Sequence, residues 1–204
     1  MSVVKEGYPF ILGFLAVGFI CSFIFNPLAV FFYILSAFCF FFFRDPDLTI
    51  NEDKDFILSP CNGTVMNVLT NENGQTEIRV FMSVFNVHLQ RSPISGVVKS
   101  VEHKDGKFLK AHLPEAYIEN EQNVITIENE NGVYIVKQIA GILARRCVSW
   151  VKPGDTIKQG DKIGVIKFSS QVDLLMPAGY DVRVKVGDKV TSGLSILALI
   201  KQKA

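Results

Sequence analysis

The chain has 204 residues, 21 of them basic and 20 acidic, for a formal net charge of +1. Its hydrophobic content is 49% and its mean hydropathy +0.28. So even a charge balance argues against nucleic-acid binding, and the length has room for one ordinary domain and an added segment. Four cysteines, Cys21, Cys39, Cys61 and Cys147, show neither CxxC nor another metal-ligand spacing, which predicts reduced thiols, no disulfide framework and no metal.

The added segment comes first. No charged residue lies between Gly7 and Phe43, and Lys5 and Glu6 are the only charges before Arg44. The run divides at Asn26-Pro27 into FILGFLAVGFICSFIF and LAVFFYILSAFCFFFF, each of 16 residues. As a helix each half is roughly 24 Å long, short of the ~30 Å hydrocarbon core. Asn-Pro is a turn signal, so residues 1–43 read as a hydrophobic helical hairpin anchoring the chain in a membrane, as two short spans or a re-entrant wedge. Lys5 and Arg44 flank the hairpin and favour a cytoplasmic location, at the cell membrane, for the remainder of the chain. A cleaved signal peptide fits less well, because the run is too long and no small-residue cleavage site comes after it.

From residue 44 to 204 the texture changes to short β-branched runs between turn residues: EIRVFMSV (77–84), NVITIE (123–128), GVYIVKQIAG (132–141) and DVRVKV (181–186). This predicts a mainly β domain, a compact barrel or sandwich. VKPGDTIKQGDKIGVI (151–166) and VKVGDKVTSGLSILALI (184–200) echo each other at a shift of 33, as do SPCNGTV (59–65) and SPISGVV (92–98). The G-D hairpins resemble those of lipoyl and biotinyl carrier domains; two copies are too few for a solenoid.

The informative stretch is KFSSQVDLLMP (167–177). By itself Ser169-Ser170 reads as a polar turn between two apolar strands. Ahead of it, in order, come FFFRDP (41–46), SPCNGTV (59–65), FMSVFNVHLQRSP (81–93), ENEQN (119–123), QIAGILARR (138–146) and KPGD (152–155). Together they resemble the short, bacterial and archaeal form of the phosphatidylserine decarboxylase proenzyme family over essentially the whole chain.

The resemblance implies a zymogen that breaks its own Ser169–Ser170 bond. The Ser170 hydroxyl attacks the preceding carbonyl, and elimination from the resulting ester leads to an N-terminal pyruvoyl group. The products would be a β chain of residues 1–169 and an α chain of 170–204, held together by their shared fold. The substrate amine would form a Schiff base with the pyruvoyl ketone, which accepts the electrons released as carbon dioxide leaves. His88 matches the family histidine that returns a proton. Ser169 stands where the family has glycine, although bacterial histidine decarboxylases mature at a Ser-Ser bond. Asn62 stands where the family usually has an aspartate that assists self-cleavage, and Arg91 where longer members have a second histidine. His103 and His112 match nothing assignable and read as surface residues. Arg145 and Arg146 are candidates for a lipid phosphate.

The implied partners are a membrane phospholipid and the bilayer itself, with a homo-oligomer left open and no nucleotide motif to suggest a second cofactor. Diacyl and ether (archaetidylserine-type) lipids are not distinguished. Two other classes compete: an uncleaved paralogue serving as a lipid-binding or scaffold protein, and a membrane-tethered carrier resembling lipoyl domains. Carriers present a lysine after a methionine, whereas Met176 precedes Pro177 here. A Ser-Lys protease is a third, but Lys167 and Ser170 have an odd spacing that puts them on opposite faces of a strand.

Overall fold

A computed structural model describes residues 2–107, 119–141, 146–167 and 170–201. The chain divides into two units, Met1–Leu48 and Thr49–Ala204.

In the first unit, strand β1 (Ser2–Val3) pairs antiparallel with β2 (Arg44–Asp45), closing the ends of a helical hairpin. Helix α1 (Tyr8–Ser22) and α2 (Asn26–Phe42) each begin with proline in the first turn, where its missing N–H costs nothing. They pack where Gly18 meets the Tyr33 ring, and Ser36 Oγ donates across to Ile11 O at 2.9 Å. The small residue lets the helices approach closely, and the hydroxyl bond crosses between them. With 15 and 17 residues, the helices are about 23 and 26 Å long. Among the described residues, no helix is long and apolar enough to cross a membrane.

The second unit is mainly β. Its strands are β3 (Phe56–Leu58), β4 (Gly63–Thr70), β5 (Thr76–Met82), β6 (Leu89–Arg91), β7 (Gly96–Lys104), β8 (Gln122–Asn129) and β9 (Gly132–Ala140). After these come β10 (Cys147–Ser149), β11 (Thr156–Ile157), β12 (Lys162–Ile166), β13 (Ser170–Met176), β14 (Tyr180–Val182), β15 (Lys189–Val190) and β16 (Ile196–Ile200). An eight-stranded sheet runs β11-β7-β8-β9-β13-β5-β4-β15, and two three-stranded sheets run β10-β12-β6 and β14-β16-β3. The expected barrel does not close: β11 and β15 are the two edges of the large sheet. The three sheets instead surround one core that includes Ile57, Val80, Ile125, Val136, Ile163, Leu174 and Leu197.

The order of the large sheet is a palindrome, and its registers match. Thr64 pairs with Phe81 and Lys189 as Val97 pairs with Glu128 and Thr156. Bulges fall at corresponding places, Val65/Asn67 and Val98/Ser100. Val136 and Leu174 face each other at the centre of the relation. The echo at 33 residues is therefore a pseudo-twofold, with nested rather than consecutive partners. The SPCNG loop docks on the second G-D hairpin and SPISG on the first: Gly193 N donates to Ser59 O, and Gly160 N to Ser92 O, both at 2.8 Å. All four hairpin glycines, at 154, 160, 187 and 193, have positive φ, a backbone that side chains resist.

The halves differ in one connection. β8 and β9 are joined by a tight turn, with Asn129 paired to Gly132. The corresponding pair, Met82 and Ser170, is not joined. The chain leaves Met82 towards β6 and reaches Ser170 from β12.

Candidate active site

Ser170 heads β13, the strand flanked by β5 and β9 in the middle of the large sheet, and faces Met82 on one side and Ala140 on the other. It is completely buried. Among the described residues, its hydroxyl has one side-chain partner, the Met82 sulfur, at 3.5 Å. A thioether is a weak acceptor, so the hydroxyl is shielded from water yet bound to nothing strong.

His88 lies at the same end of the sheet and is 1% exposed. Its Nδ1 meets Asn86 O at 3.0 Å. Its backbone carbonyl accepts from Ile166 N, at the end of β12, four residues before Ser170. The same carbonyl accepts from Gln90 Nε2 at 2.7 Å, and that nitrogen also faces Met82 Sδ at 3.7 Å. Gln90 and Met82 thus join His88 to Ser170. Around them, Ala140 N donates to Glu121 O, Asn120 Nδ2 to Ala140 O, and the buried Glu121 carboxylate takes Cys147 N at 3.1 Å.

Asn62 is placed differently. Its Oδ1 accepts from Ser192 N at 3.2 Å, just as Ser95 Oγ accepts from Gln159 N in the other half. That bond ties the SPCNG loop to the turn at Ser192 in the second G-D hairpin. Arg91 is buried and donates to Gly160 O at 2.9 Å, in the hairpin region. Arg146 is exposed, and its carbonyl receives Lys167 N, which places it beside the segment leading to Ser170. Ser169, Arg145 and His112 lie outside the described residues. The His103 side chain is half-exposed, but its Nδ1 meets the buried Asn123 Oδ1 at 2.7 Å.

Asp173, three residues along β13, is 1% exposed and points away from the core face that carries Val172 and Leu174. Gln171 Nε2 donates to its Oδ1 at 2.6 Å, while Oδ2 has no hydrogen-bond partner among the described residues. Burial pushes its carboxyl up to about 7, Glu77 adding to the shift and Arg79 and Lys137 opposing it.

The family model for phosphatidylserine decarboxylase matches residues 35–198. The chain belongs to the phosphatidylserine decarboxylase family. The match takes in both halves of the β unit and the whole of the Ser170 neighbourhood. A decarboxylase of phospholipid metabolism is what that family is, and the reaction class follows for this chain.

Several residues around the candidate site are not singled out by the sequence: Met82, Gln90 and Glu121, and the pair Asn123 and Gln138, which bond each other and lead on to Gln90. One signal was available. In NVITIE and GVYIVKQIA, Asn123 and Gln138 share the alternation of Ile125, Ile127, Tyr134 and Val136, so they are polar residues on a core face.

Proposed function

We propose that this protein is a self-maturing phosphatidylserine decarboxylase whose catalytic carbonyl is a pyruvoyl group made from Ser170. The observation that carries the reading is the Ser170 hydroxyl, wholly buried and, among the described residues, bonded by its side chain to a thioether alone, at the sheet end that also holds His88. The surroundings suit the group: Met82 and Ala140 flank it, and neither carries a group that would compete for its carbonyl.

In maturation, Ser170 Oγ attacks the carbonyl of residue 169. An ester C–O bond forms, the 169–170 amide bond breaks, and the hydroxyl proton passes to the freed nitrogen. Loss of the Cα proton and of the 169 carboxylate then leaves dehydroalanine, which water converts to the ketone with release of ammonia. Cleavage there severs no hairpin, since Met82 and Ser170 are not joined. The 170–204 fragment stays in place because β13 is paired along its length with β5 and β9, β15 with β4, and β16 with β3.

Held between Met82 and Ala140, a pyruvoyl group would supply the electron sink for decarboxylation of an amine-bearing substrate. His88 is the group assigned to return the proton, its ring held through Nδ1. Arg146, exposed beside Lys167, is assigned to the lipid phosphate, together with its neighbour Arg145. The helical hairpin is assigned to the membrane, entering the bilayer rather than crossing it. In support, Phe19, Ile20, Phe23, Ile24 and Ile34 are exposed on several faces, more apolar surface than water tolerates. The β unit then works on the cytoplasmic side, on a diacyl or an ether lipid.

A second reading, an uncleaved lipid-binding paralogue, is favoured by the Asn62 contact, which serves a turn. The intact mass of the full chain in detergent decides between them. Two species, residues 1–169 and 170–204 with a pyruvoyl terminus, are expected. A single unmodified chain after long incubation would reject the enzyme.

A further inference from the structure

The pseudo-twofold supplies an internal control for the candidate site. Across the core face of the half that carries His88 runs an unbroken series of side-chain hydrogen bonds. His103 Nδ1 meets Asn123 Oδ1 at 2.7 Å, and Asn123 Nδ2 donates to Gln138 Oε1 at 3.0 Å. Gln138 Nε2 donates to Gln90 Oε1 at 2.8 Å, and Gln90 Nε2 to His88 O at 2.7 Å. Registers identify the corresponding positions in the other half. Asn123 pairs with Gln138 as Thr76 pairs with Met176, and Gln90 pairs with Gly164 as Ile57 pairs with Ala198. There the series stops after one bond, Thr70 Oγ1 to Thr76 Oγ1, and continues as Met176 and Ile57. One backbone geometry therefore packs well with apolar residues at these places. Buried amides were not required by the fold.

The direction of the series is not arbitrary. A backbone carbonyl only accepts, so Gln90 must turn its NH2 to His88 O and its oxygen to Gln138. Gln138 must then turn its oxygen to Asn123, and Asn123 its oxygen to His103, whose Nδ1 must carry the proton. Every bond donates towards His88. Aligned amides polarise one another, and the last donor grips the residue that precedes Leu89 in β6 and faces the Met82 sulfur shared with Ser170.

We propose that Gln90 and Gln138, oriented through Asn123 from His103, are positioning residues that set the His88 backbone, and through it the imidazole, against Ser170. The inference rests on the proposed roles of Ser170 and His88. It adds a role for His103, which the sequence read as a surface residue.

The test copies the other half into this one. The double variant Gln90→Ile, Gln138→Met carries the residues found at Ile57 and Met176. Replacing both partners of the Gln90–Gln138 bond by apolar groups of similar shape is close to neutral, and the Asn123 Nδ2 left without its Gln138 acceptor costs some stability, so melting should fall by no more than about 10 °C. Self-cleavage, monitored by intact mass, should slow by about 10²-fold, the effect of a small misplacement of a reacting group. The hydrogen-bonded His88 Nδ1–H resonance, read on ¹⁵N-histidine-labelled full chain in detergent and assigned by its loss in His88→Gln, should broaden or vanish.

If the double variant does not fold, Asn123→Thr, the residue at Thr76, cuts the series two links from His88, and a weaker change of the same sign is expected. A variant that folds, cleaves at the wild-type rate and keeps the His88 resonance overturns the proposal. Should the wild-type chain never cleave, the maturation reading fails. The resonance would still decide whether the amides position His88.

Discussion

Asp173 offers the sharpest test of the electrostatics around β13. Its carboxyl is 1% exposed, one oxygen has no partner among the described residues, and burial raises its pKa from 3.8 to about 7. Because the folded value lies above the unfolded one, the folded state holds the proton more tightly. Stability therefore falls as pH rises from about 4 to about 7 and is level above that. Two of the roughly three units lie between pH 5 and 7, so at 1.36 kcal/mol per unit the loss over that span is about 3 kcal/mol. Asp173→Asn keeps the shape and cannot ionise. Urea unfolding of wild type and variant at pH 5, 6, 7 and 8 isolates the group, since other titrations cancel in the difference. The variant's advantage over wild type should grow by about 3 kcal/mol from pH 5 to 8, nearly all of it before pH 7. Parallel stability profiles would refute the reasoning and mean that the Gln171 hydrogen bond, with Arg79 and Lys137, offsets the burial.

Gly63 and Gly96 occupy matching positions where an added Cβ would lie 2.2 Å from Phe81 O and 2.6 Å from Glu128 O. Either Gly→Ala change should cost about 1–3 kcal/mol by thermal unfolding, and similar losses at the two sites would bear on the pseudo-twofold. The buried hydroxyls of Tyr134 and Tyr180 bond each other, and burial pushes both phenols up. Each single Tyr→Phe change should cost about 1–2 kcal/mol, and the double change clearly less than the sum, read as a double-mutant cycle. Asn62→Asp preserves the acceptor for Ser192 N. Melting should be unchanged and self-cleavage faster by intact-mass time course; an unchanged rate would confine this position to the turn. Ser170→Ala should fold normally, with an unaltered melting point, and persist as one chain.

The features that the sequence determined by itself are local or periodic. Alternation marked the strands, Asn26-Pro27 the break between helices, and the G-D pairs the turns, because each depends on residues a few positions apart. The motifs around Ser170 and His88 were legible for the same reason. The 33-residue echo was visible too, but not its meaning: that SPCNG docks on the distant hairpin and SPISG on the nearer one comes from pairing between segments far apart in the chain. Asp173 falls on the outward side of the alternation and so reads as exposed. It is nevertheless 1% exposed, a tertiary property that no stretch of sequence states. Gln90 and Gln138 are 48 residues apart. Each is an ordinary amide in a strand until tertiary packing brings the small sheet over the large one and sets Gln138 Nε2 against Gln90 Oε1, since a buried polar group must find its partner wherever the fold has put one.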